Sequence, residues 1–105
     1  MNMARFEQEM SKDSKTNMSE YVKVMSDCYD VDNITDSNML MKMVKDDIKE
    51  FRSDGDHIMV SSLQLLTNVI TLNVTKITYP NEKDKLVSPM KNIVESWEKV
   101  TNLLK

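Results

Sequence analysis

Between His57 and Lys76 no side chain carries a charge, in a chain where 30% of the residues do. A segment so unlike its surroundings belongs in the interior, because exposed it would leave the longest apolar run of the chain in water. Wound at about 100° per residue, Ile58, Met59, Leu63, Leu65, Leu66, Val69, Ile70, Leu72, Val74 and Ile77 share one broad arc. Ser61, Gln64, Thr67, Asn68, Thr71 and Thr75 fill the other side. The period predicts a central helix over about 57–78. A strand through 70–79 is the rival, since Ile70, Leu72 and Val74 alternate with Thr71, Asn73 and Thr75 and β-branched residues are frequent there. That alternation breaks at Lys76, and no second run offers a partner strand.

At 105 residues the chain suits one domain with a modest core, and one glycine with two prolines favours helices over many tight turns. Ser, Thr, Asn and Gln interrupt the central stretch, so it falls short of about 18 consecutive apolar residues and no membrane span is expected. The opening MNMARFEQEM lacks the apolar run of a signal peptide. A cytoplasmic protein is therefore expected, and the Asn-x-Ser/Thr triplets at Asn17, Asn33 and Asn73 are read as chance matches. Cys28 is the only cysteine, which excludes an internal disulfide. A net charge of −3 gives no global field for nucleic acid. Lysine outnumbers arginine twelve to two and alanine occurs once, the usage of an AT-rich genome such as many phages and other viruses have.

Along the chain, Met3, Phe6 and Met10 have helical spacing and predict a short, mobile amphipathic arm over residues 1–16. The domain proper is expected over 17–105. Asn17 with Glu20 three residues on is an N-cap signal, and Met18, Tyr21, Val22, Met25, Cys28 and Tyr29 form one stripe, predicting a helix over about 18–30. The acidic linker that follows brings Asp36 or Ser37 to cap a helix whose stripe is Leu40, Met41, Val44, Ile48 and Phe51. Arg52 and then Gly55 are its stop signal, and Asp56 can cap the central helix at once. Tyr79-Pro80 ends that helix. Ser88-Pro89 reads as a cap and first position of a last helix over about 89–104, carrying Met90, Ile93, Val94, Trp97, Val100 and Leu104. A single helix from Asn81 kinked at Pro89 is the alternative. The fold class is all-α, a small four-helix, mainly antiparallel bundle with an N-terminal arm.

Catalytic and metal chemistry find little support. An EF-hand on Asp30, Asp32 and Asp36 fails, with Ile34 at the fifth position, no glycine at the sixth and Met41 at the twelfth. Asp47 with Glu50, and Glu95 with Glu98, have helical spacing for a metal, but the central helix supplies no second acidic set. A Cys28–His57 nucleophile pair has nothing to orient the imidazole, and one glycine cannot build a phosphate loop. The expectation is a non-enzyme with no cofactor and no metal.

Two features suggest binding instead. Ten methionines are present, and Met39 and Met43 lie beside the main stripe of their helix, where flexible thioethers suit an adaptable contact surface. Lys42, Lys45, Lys49 and Arg52 fall within about 80° of arc on the opposite flank, a candidate site for phosphate, nucleotide or nucleic acid. The Ser61, Gln64, Asn68, Thr71 and Thr75 side of the central helix is polar yet uncharged, which suggests that another helix or a partner covers it. Together these features predict a small accessory protein of phage or viral type that acts by protein–protein binding, with a symmetric homodimer as one form. Its partner residues would be Met39, Met43, Ser61, Gln64, Asn68, Thr71 and Thr75.

Overall fold

Six α-helices follow one another in the computed structural model, which describes residues 1–29 and 36–105: α1 Met3–Glu9, α2 Lys12–Thr16, α3 Met18–Asp27, α4 Ser37–Ser53, α5 His57–Thr78 and α6 Val87–Leu104. A 3-10 turn, Lys83–Leu86, leads into α6. No strand occurs among the described residues, and the uncharged stretch is helical to Thr78. The chain is all-α. The four longer helices correspond to the four expected from periodicity, and the segment 1–16 adds two short ones. Asp30, Asp32 and Asn33 lie outside the described residues.

Local chemistry explains most helix ends. Asn17 accepts the Glu20 N–H at 3.2 Å and Asp56 accepts the Met59 N–H at 3.1 Å, each satisfying a first-turn donor with no intrahelical acceptor. Asp36 makes no such bond, although α4 begins directly after it. Between α4 and α5, the Gly55 N–H donates to the Arg52 carbonyl and the Asp56 N–H to the Phe51 carbonyl, the paired bonds of a Schellman cap. That geometry places Gly55 at φ +73°, where a Cβ is disfavoured. Three residues thus close α4 and open α5.

The last helix begins earlier than Ser88-Pro89 implied. Val87 is its first residue and Pro89 its third, a position where the missing proline N–H removes no helical bond. The chain approaches it through the 3-10 turn, not through a continuous kinked helix.

The helices close around α5. Leu63, Leu65 and Leu66 of α5, Leu40 and Val44 of α4, Tyr21 and Met25 of α3, and Val100 of α6 are almost fully buried in one apolar cluster. α5 has the length and mean hydropathy, 1.4 over its most apolar window, of a membrane-crossing helix. In this fold 39% of that window is buried, against α3, α4 and α6. Polar ties fix its neighbours. Ser62 donates to the Ile58 carbonyl, so the Tyr21 hydroxyl, 2.7 Å away, donates to Ser62 Oγ. Asn68 donates to Ser96 Oγ of α6.

Residues 1–16 contribute to this core. Phe6 is buried edge-on against Tyr21, with centroids 6.3 Å apart. The Asn2 N–H donates to the Cys28 carbonyl. The ammonium of Met1 and the hydroxyl of Tyr29 both reach Asp47 Oδ2 at 2.7 Å, joining the start of the chain and the end of α3 to the middle of α4. A radius of gyration of 13.6 Å is close to the roughly 13 Å of a compact chain of this length.

Candidate partner-binding groove

The apolar face of α5 opens progressively toward its C-terminal end. Leu66 is 2% exposed, Ile70 7%, Val74 38% and Ile77 72%. The cause is length: 22 residues make α5 about 33 Å long, whereas the ten residues of α3 span about 15 Å. A groove of about 350 Å³ results. Its floor is Leu66, Val69, Ile70, Asn73, Val74 and Ile77; its α3 wall is Met18, Ser19, Val22, Lys23, Ser26 and Asp27; Ser37 and Leu40 of α4 complete it. The lining is mostly apolar, with Ser19, Ser26, Ser37 and Asn73 as polar points, and the α3 wall carries one cation and one anion four residues apart.

A second apolar surface lies on α6. Val87, Met90 and Val94 are 65%, 53% and 65% exposed. Sequence periodicity assigns Met90 and Val94 to the core stripe with Ile93 and Val100, and the structure corrects that. Ile93 and Val100 are buried, Trp97 is half-buried with its ring 5.6 Å from that of Tyr21, and the two others stand on the flank in water. Val74 and Ile77, expected inside, are likewise exposed. None of these five was a sequence-level site candidate. The readable signal was an apolar arc on α6 wider than one neighbour can cover and an α5 longer than the helices beside it.

The residues singled out from sequence are dispersed. Met39 projects into solvent at 57% exposure, but Met43 packs against the core with Met41, so the two do not form one free strip. Eight of the ten methionines are buried or lie against the core; Met39 and Met90 are exposed. Ser61 is buried, and Gln64, Asn68 and Thr75 are half-buried. α6 covers part of this uncharged side, with Asn68 bonded to it and Gln64 and Asn68 lining a small polar cleft against Asn92, Glu95, Ser96 and Lys99. Thr71 is exposed, yet its hydroxyl donates to the Thr67 carbonyl, as Thr75 does to Thr71 and Thr67 to Gln64. These hydroxyls are satisfied within their own helix. The face can be free of charge without a partner supplying hydrogen bonds.

Lys42, Lys45, Lys49 and Arg52 are all exposed along α4. Cys28 is buried at the end of α3, and burial pushes its thiol up from the ordinary range, away from a reactive thiolate. His57 is exposed in the first turn of α5. Among the described residues no group of three or more His, Cys, Asp or Glu side chains is arranged to hold a metal ion. Compared with known protein families, curated proteins and solved structures, the chain matches none.

Proposed function

We propose that this protein acts by binding another protein, whose amphipathic helix lies in the groove between α3 and the C-terminal half of α5. The observation that carries this reading is the rise in exposure along one continuous apolar face, from Leu66 inside to Ile77 in solvent. From Leu66 to Ile77 the floor runs about 16 Å, three turns of an accepted helix. Lys23 and Asp27 on the wall can each pair with an opposite charge beside that helix's apolar stripe. The reading takes the chain as a non-catalytic accessory factor of phage or viral type working in the cytoplasm, its four longer helices forming a mainly antiparallel bundle and self-association being one of its modes.

Affinity capture from the native host with wild type, Ile77→Asp and Lys45→Glu/Lys49→Glu tests it. Loss of the same captured protein with Ile77→Asp, and its retention with the charge reversals, is expected. Because all four cations of the α4 stripe are exposed, an anionic ligand there is the second reading. Salt-sensitive retention of nucleic acid or nucleotide, lost on reversing Lys45 and Lys49 and kept by Ile77→Asp, would replace the first reading with the second.

A further inference from the structure

We infer that the protein pairs with a second copy of itself along α6, the two helices running antiparallel across a two-fold axis beside Val94. The inference rests on the reading of this chain as a protein-binding module, but it uses a different surface from the groove. Val87, Met90 and Val94 follow one another at intervals of three and four residues, the spacing of a helix–helix seam, and each is more than half exposed. Among the described residues they stay more than half open to solvent, while the rest of α6 is anchored through Ile93, Trp97 and Val100.

Charge selects the occupant and its direction. Lys91 and Glu98 border the seam seven residues apart, in the same position of the repeat, with opposite sign. Both are exposed, and among the described residues neither forms an ion pair within the chain. A parallel copy in register would put Lys91 and Glu98 on the opposite flank of the seam from the partner's Lys91 and the partner's Glu98 and leave all four without an ion pair. An antiparallel copy turned about the point between Val94 and Glu95 sets Lys91 against the partner's Glu98 and Glu98 against the partner's Lys91. Val94 then meets the partner's Val94 on the axis. The pattern is self-complementary in that one direction. Met90 can adapt to the facing surface through its flexible thioether. With Val94 on the axis the partner's Thr101 lies opposite Val87, so the contact runs about 21 Å along α6 and its apolar part is limited to Val87, Met90 and Val94; this is the small end of specific interfaces, so the dimer should be reversible and concentration-dependent.

Sedimentation equilibrium of the full chain over a dilution series tests this. The mass should rise with concentration from 12.2 kDa toward twice that value. Val94→Asp, at an exposed position, should keep the helical circular dichroism spectrum and remain monomeric. Lys91→Glu or Glu98→Lys alone should weaken association by about tenfold, since each variant brings like charges together twice. The combined variant Lys91→Glu/Glu98→Lys should restore wild-type association, because the pairs reform with reversed sign. A monomer at every concentration, a dimer that survives Val94→Asp, or a double reversal that does not restore association would each overturn the inference. Ile77→Asp separates it from the groove: association kept in that variant supports the α6 seam, and association lost there would place the second copy in the groove instead.

Discussion

At the scale of single residues, Asp47 joins three parts of the chain through one carboxylate oxygen. It accepts from the Met1 ammonium and the Tyr29 hydroxyl, and Tyr29 is buried. Burial first, and then the bond to the carboxylate, pushes the Tyr29 hydroxyl well above its ordinary range of about 10. Burial raises Tyr21 as well. Both groups keep their proton more tightly folded than unfolded. The stability they contribute is therefore complete below about pH 10 and is lost as pH rises through the unfolded tyrosine range toward the folded values. Thermal melts followed by circular dichroism should show a steep loss above about pH 10. In Tyr29→Phe the melting temperature should be lower at neutral pH, through the lost bond, and should fall less steeply in alkali. An equal slope in wild type and variant would contradict this account of Tyr29.

At the scale of elements, the α4–α5 corner was legible in the sequence because its determinants are local. Gly55 supplies the left-handed residue and Asp56 the cap, and both act within five residues of their own position. No atom lies within 4 Å of a Cβ built on Gly55, so Gly55→Ala should cost only the backbone strain, about 1 to 2 kcal/mol in urea unfolding. No loss would mean that the corner relaxes out of the Schellman geometry. The same local logic found Asn17 and the stop at Tyr79. It failed at the start of α6, because Ser88-Pro89 is compatible with more than one place in a first turn, and the 3-10 turn before it holds Leu86 half-buried while α6 starts at Val87. It failed again on the methionines: the position of Met43 on its helix resembles that of Met39, and only the packing of neighbours shows that one touches the core and the other does not. Helical phase shows which residues share a side, whereas burial depends on where each neighbouring helix stops.

At the scale of the whole molecule, that difference is what exposes the candidate site. A short α3 lies beside a long α5, leaving an apolar floor uncovered past Ile70, and α6 brings a second uncovered stripe through Val87, Met90 and Val94. Both are continuous with apolar faces that hold the core together. A core face that extends past its neighbours in this way is surface suited to another helix. The uncharged side of α5, the clearest anomaly in the sequence, has an internal explanation in its helix-bonded threonines and in the contact of Asn68 with α6. The binding reading thus rests on surplus apolar surface at one end of α5, and it requires that Ile77 contribute almost nothing to folding. The most direct measurement compares the unfolding free energies of Ile70→Ala and Ile77→Ala with that of wild type. Ile70→Ala should lose about 2 to 5 kcal/mol, as buried isoleucines do, and Ile77→Ala should stay within about 0.5 kcal/mol of wild type. Comparable losses in the two variants would make Ile77 part of the core and contradict the groove.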